Sequence, residues 1–272
     1  LQNLHPRFNS GRRLQPSSVV SAHDATMTDA APHSTSDYRP DIDGLRAVAV
    51  LAIVGFHAGA SWFSGGYRGV DVFFVISGFL ITRIVVRDLD AGTFGLATFY
   101  ERRARRILPA LLAMLGVVSL VGYATLLPIE LKVLGQNIVA VLAFSSNIIF
   151  WKRAGGFDFY FEPSAHLNPL LHTWSLGVEE QFYLLFPALL WALWRRFGAR
   201  AMWAVGGVAV ASFVWSNVIG SEWNLGVPLQ REAAFYLLPS RAWELMAGVL
   251  VALASRSRWS GLPTAVREGS AA

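Results

Sequence analysis

Two stretches of this chain, Ile107 to Leu127 and Ala201 to Ile219, run for about 20 residues each without a charged side chain. A helix of that length crosses about 30 Å of hydrocarbon and satisfies its own backbone hydrogen bonds, which is what a lipid environment demands. Composition agrees: 54% of residues are hydrophobic and 15% charged, too apolar for an ordinary soluble domain. The expected fold class is all-α, a polytopic integral membrane bundle. Ten Trp and 18 Phe suit aromatic belts at the two interfaces, as at Trp62, Trp151, Trp191, Trp194 and Trp223. The net charge of +5 is mostly loop arginine, so it reports orientation in the bilayer and not nucleic-acid binding. With no Cys the chain has no disulfide framework, no thiol nucleophile and no thiolate metal site.

Further spans are expected at Leu45 to Phe63, Val70 to Val86, Val133 to Trp151, Trp174 to Trp194 and Phe235 to Ala254, about seven in all. These five carry polar residues, among them Asp71, Arg83, Gln136, Asn137, Asn147, Glu179, Glu180, Arg241 and Glu244. Polar helices gathered around one interior describe a site within the membrane. No internal repeat is visible, which disfavours the inverted-repeat design of many transporters. The membrane domain covers 38–254, between a polar leader at 1–37, expected to be disordered, and a polar tail at 255–272. Met27 is the expected start.

The arginines of the loops set orientation. Arg83, Arg87 and the run Arg102, Arg103, Arg105, Arg106 put one loop in the cytoplasm, and Arg195, Arg196 and Arg200 do the same for another. The N-terminus is then cytoplasmic. Yet an odd number of apparent spans separates those two loops, so either a crossing hides between Gly155 and Thr173 or one segment is re-entrant.

Arg46 and His57 stand out within the first apolar run. Eleven residues turn a helix through three turns plus about 20°, so the two share a face, about 16 Å apart along the axis. The guanidinium is expected near one boundary and the imidazole well inside the hydrocarbon, where an ionisable group usually serves chemistry or transport.

Five motifs carry a resemblance: Arg39-Pro-Asp-Ile-Asp-Gly-Leu-Arg46, the Gly69 to Thr82 segment GVDVFFVISGFLIT, the Phe99 to Pro109 segment FYERRARRILP, the Leu171 to Tyr183 segment LHTWSLGVEEQFY, and Ser240-Arg-Ala-Trp-Glu-Leu245. In this order they resemble the bacterial acyltransferase-3 family, membrane enzymes that O-acylate cell-surface carbohydrates. The resemblance runs from Tyr38 to about Ala254. It implies roughly ten helices, and in the branch this chain looks most like, often a following SGNH hydrolase-like domain. On that comparison the chain is expected to be C-terminally truncated. The resemblance also implies an essential arginine and histidine at the Arg46 and His57 positions, and a two-arginine motif on Arg103 and Arg106.

Roles follow for the site residues. With no thiol present, His57 is the expected general base or transient acyl carrier. Arg103 and Arg106 share a helix face at i,i+3 near an expected helix N-terminus, a phosphate site that fits a coenzyme A donor alongside Arg46. Glu179 and Glu180 are adjacent, so they point about 100° apart and cannot both face one cavity centre. A carboxylate here either orients His57 or binds an acceptor hydroxyl, or the two form a helix-start pair favoured by the dipole. Glu180 is assigned to the catalytic set and Glu179 to the structural or acceptor side. Arg241 and Glu244, at i,i+3, read as an intrahelical ion pair and Asp71 as a helix-start residue; all three join Glu179 as structural or acceptor-side groups. His166 and His172 lack supporting ligand spacing, so no metal and no bound cofactor are expected.

The expected activity is transfer of an acyl group, acetyl by preference, from cytoplasmic acyl-CoA as co-substrate to a hydroxyl of a cell-surface glycan or lipid-linked sugar, in a bacterial inner membrane. The competing class is a transporter that uses the same buried charges for solute or proton movement. A retinal protein is disfavoured, because Lys132 and Lys152 lie outside the last span.

Overall fold

A computed structural model describes residues 39–154, 168–221 and 230–260. The expected leader at 1–37 lies outside the described residues. Among them every regular element is helical: α1 Pro40–His57, α2 Gly69–Asp90, α3 Leu96–Thr125, α4 Pro128–Leu142, α5 Ser146–Ala154, α6 Thr173–Phe197, α7 Ala201–Ile219, α8 Gln230–Tyr236 and α9 Leu238–Ser260. Short 3-10 turns at Ser61–Phe63 and Gly66–Arg68 join α1 to α2. Gly66–Asp90, Leu96–Thr125, Ala201–Ile219 and Arg231–Ser255 are long and apolar enough to cross a membrane. The α1 and α6 segments are comparably long but carry charges, including Asp41, Asp43 and Arg46 on α1 and Glu179 and Glu180 on α6.

The expected span Val133 to Trp151 is not one helix. It breaks at Ala143–Ser145, where Phe144 takes φ 50°, a left-handed value uncommon for a residue with a Cβ. Arg153 on α5 reaches back to Asn137 and to Gln136, at 2.6 Å for the latter. A continuous helix would set Asn137 and Arg153 about 24 Å apart, so α5 must fold back on α4. Pro128 opens α4, and the Glu130 carboxylate accepts the Leu127 N–H at 2.8 Å, which caps its first turn.

The pairing of α3 with α6 sets which helix ends lie together. On α3 and α6, Tyr100 donates to the Leu184 carbonyl at 2.6 Å and Arg103 meets Glu180 at 3.3 Å; as numbers rise on one helix they fall on the other, so the two are antiparallel. The end of α3 and the start of α6 therefore lie at one end of the bundle; most of the segment between Gly155 and Thr173, where a hidden crossing is one alternative, lies outside the described residues. Arg87 on the last turn of α2, Arg195 and Arg196 on the last turn of α6, and Arg200 just beyond it lie at the opposite, arginine-rich end.

Packing at the centre relies on glycine. Gly78 of α2 faces the Leu245 carbonyl of α9, and Gly248 of α9 faces the Val75 carbonyl of α2; a Cβ on either would sit 1.9 Å from that oxygen. Small residues that let backbones approach are the usual basis of helix association in lipid. Around this crossing Phe74, Ile81, Val85, Leu245, Val249 and Leu253 form part of the main buried cluster. Helix α9 continues through Ser260.

Candidate functional site

A cavity of about 580 Å³ lies between α1, α2, α3 and α6. Its walls are apolar, with Ile53, Phe73, Phe74, Leu111, Met114 and Leu176 among them, and its polar groups include Arg106, Glu179 and His172. Val70 and His172, each at or beside the start of its helix, mark the end of the cavity away from the arginine-rich end. Arg106 lies deeper, on the third turn of α3.

The sequence motifs split in space. Arg103 and Arg106 are not at the N-terminus of their helix as expected, because α3 begins at Leu96, which places Arg103 about 10 Å along its axis. Asp88 pairs with Arg102 at 2.8 Å across the α2–α3 turn. Arg103 Nη2 meets Glu180 Oε1 at 3.3 Å, and its guanidinium lies 3.6 Å from the centre of the Tyr183 ring. Arg106 is exposed into the cavity and has no ion pair among the described residues. On α6 the adjacent carboxylates diverge as helical geometry requires. Glu180, expected in the catalytic set, is buried against Arg103, whereas Glu179 lines the cavity and accepts a hydrogen bond from Ser77 Oγ at 2.6 Å. Ser77 is a contact the sequence reading missed; its only signal was a hydroxyl in an otherwise apolar run.

Arg46 and His57 lie on α1, the latter as its final residue. His57 is thus exposed at the end of the helix. The helix stops there because Gly59 adopts φ 73° and the Ala60 N–H turns back to the Gly55 carbonyl at 3.0 Å. His57 Nδ1 lies 2.9 Å from the Ile53 carbonyl. A carbonyl only accepts, so Nδ1 carries the proton, and in the neutral imidazole Nε2 then keeps its lone pair. Ile53 lines the cavity and sits on the helical face that Arg46 and His57 share, seven residues after one and four before the other. Arg46 itself meets Asp43 at 3.6 Å.

Arg241 forms the intrahelical pair with Glu244, at 3.0 Å, and also binds Asp71 on α2. Its guanidinium lies 5.5 Å from the Phe74 ring centre and 5.8 Å from those of Trp174 and Phe235. Asp71 is therefore part of a bridge between α2 and α9, a role its position in the first turn did not reveal. His166 lies outside the described residues. Among those described, no group of three or more His, Asp or Glu is placed to hold a metal ion.

Comparison with known proteins gives a consistent picture. The Acyltransferase domain family, acyltransferase-3, matches residues 39–260. The chain is 37% identical to the peptidoglycan O-acetyltransferase OatA of Listeria monocytogenes over 221 residues, which is 79% of this chain and 34% of that protein. It is 41% identical to the O-acetyltransferase OatA of Staphylococcus aureus over 165 residues, 60% of this chain and 26% of the relative. The matched region spans about a quarter to a third of the length of these curated relatives. No solved structure gives a significant match.

Proposed function

This chain belongs to the acyltransferase-3 family of membrane acyltransferases, and from that premise we propose that it moves an acyl group, acetyl by preference, from acyl-CoA to a hydroxyl of an envelope glycan or lipid-linked sugar. The observation that carries the reading is the cavity between α1, α2, α3 and α6, with an unpaired guanidinium at depth and an imidazole one helical turn beyond its Ile53 wall. By the positive-inside rule the arginine-rich end faces the cytoplasm, which puts the start of α1 there and His57 at the outer end. The donor then enters from the arginine-rich end with its phosphates at Arg46 and Arg106, and its thioester extends outward along the α1 face. The membrane is proposed to be the bacterial cytoplasmic membrane.

In this mechanism the acceptor oxygen attacks the thioester carbonyl carbon. His57 Nε2 takes the hydroxyl proton as the C–O bond forms, the C–S bond breaks, and the proton passes to the leaving thiolate to give free coenzyme A. Fixing Nδ1–H on the Ile53 carbonyl keeps the basic nitrogen in one orientation, the contribution a positioned general base requires.

The test uses membrane vesicles from cells that make the protein, supplied with acetyl-CoA labelled in the acyl group. Label is expected in an alkali-labile ester on a sugar of the envelope fraction. Absence of ester above protein-free vesicles, across acetyl, propionyl and butyryl donors, would reject the reading.

A further inference from the structure

The double-arginine and double-glutamate motifs are each divided between two tasks. Arg103 and Glu180 face one another across the α3–α6 contact at 3.3 Å, with Tyr183 stacked beneath the guanidinium at 3.6 Å. Arg106, three residues on, is exposed into the cavity, and Glu179, one residue back, lines it. Ser77 donates its hydroxyl to Glu179 Oε1 at 2.6 Å. In both motifs one member bridges the two helices and the other faces the cavity.

We infer that Arg103 and Glu180 are positioning residues that lock α3 against α6, and that Arg106 and Glu179 are the members that touch substrate. Resting on the acyl-CoA reading, the occupant follows from the chemistry of the wall. A cation for phosphate, a carboxylate for an N–H or O–H donor, and the apolar Ile53, Leu111 and Met114 are the kinds of wall a phosphopantetheine arm can use. Arg106 takes phosphate oxygen, and Glu179 accepts from a hydroxyl or amide of the arm. Arg103 acts only through the position it gives Arg106.

Charge exchange separates the two roles in the full chain. Arg103→Glu or Glu180→Arg alone should lower the melting temperature in detergent and the amount of protein in the membrane, since each leaves a buried charge unpaired or opposed. The two together should recover both quantities and acyl transfer. Because the exchange moves the guanidinium relative to Tyr183, the neutral pair Arg103→Gln with Glu180→Gln provides a second test: it should melt above either charged single variant. Arg106→Gln and Glu179→Gln should melt like the wild type. They should nonetheless raise the KM for acyl-CoA at least about tenfold each, the effect of one lost charge-assisted contact, and Arg106→Gln should lose the rise in melting temperature that free coenzyme A gives the wild type.

Folding restored by the exchanged Arg103 and Glu180 without recovery of transfer would place Arg103 on the substrate and overturn the division. So would an unchanged KM in both cavity-side variants. A wild-type protein that coenzyme A does not stabilise would overturn the donor reading and the ligand-contact half with it, while the melting temperatures of the Arg103 and Glu180 variants would still decide the bridge.

Discussion

Replacing Gly248 with Ala adds one methyl group where the backbones of α2 and α9 approach closely. The new Cβ would stand 1.9 Å from the Val75 carbonyl oxygen and 2.7 Å from the Phe79 nitrogen, where carbon and oxygen normally rest at about 3.3 Å. Both obstacles are backbone, so no side chain can swing aside, and α2 and α9 must part by about 1.4 Å. A gap of that size forfeits a large share of the dispersion contacts along the seam, and overpacking of this kind costs about 3 kcal/mol at the upper end of its usual range. Against this, Ala gains about 1 kcal/mol over Gly as a helix former. The net loss of about 2 kcal/mol should lower the melting temperature by about 4–8 °C for a chain of this size. Gly78→Ala should do the same through the Leu245 carbonyl. Gly116→Ala and Gly207→Ala are the matched controls: each lies within a helix and has nothing within 4 Å of its Cβ, so only the propensity gain remains. The assay is thermal unfolding of purified protein in one detergent. Equal or raised melting temperatures across all four variants would refute the proposition that this glycine contact holds the two helices together.

Three other outcomes are expected. His57→Gln should leave membrane level and melting temperature unchanged while acyl transfer falls by at least about a hundredfold, the scale of general-base catalysis; transfer at the wild-type rate would remove His57 from the reaction. Because the chain has no native Cys, single cysteines report sidedness cleanly: Leu127→Cys and Ala154→Cys should react with an impermeant maleimide from one side of the membrane and Ala91→Cys from the other, whereas opposite labelling of positions 127 and 154 would contradict the α4–α5 hairpin. Arg153→Met removes the guanidinium that ties α5 to Asn137 and Gln136 and should cost about 1–3 kcal/mol of stability by stranding the buried Asn137 amide, read as a lower melting temperature; an unchanged one would show the tie is immaterial.

Where the chain is a long apolar run, sequence and structure agree closely: Ala201–Ile219 has the bounds read from its lack of charge. Hydrophobic content could not reveal the break at Phe144, because Val133 to Trp151 is apolar on both sides of it and no Gly or Pro marks the turn. Instead, the hydrogen bonds of Gln181 to the Phe144 carbonyl and to Asn147, at 2.9 Å each, show the tertiary contacts that receive the turn. Periodicity located Arg46 and His57 on one face of α1 but not their depth, since the end of that helix depends on the conformation of Gly59. Helical geometry also required Glu179 and Glu180 to diverge. Which of them meets the cavity depends on where α3 lies, information that resides in a different part of the chain.

Electrostatics links these placements. A charge in a low-dielectric interior needs a partner, and in this bundle three such partners come from other helices: Asp71 of α2 for Arg241 of α9, Glu180 of α6 for Arg103 of α3, Asp88 of α2 for Arg102 of α3. Each pair joins two helices and leaves little charge for an incoming ligand. Arg106 stands apart, with no ion pair among the described residues, and Glu179 accepts from the neutral Ser77 hydroxyl. Both border the same cavity. A guanidinium and a carboxylate kept there without mutual neutralisation gain most when a ligand brings its own anion to one and its own hydrogen-bond donor to the other, so the compensation missing from the protein is the recognition chemistry we assign to the substrate.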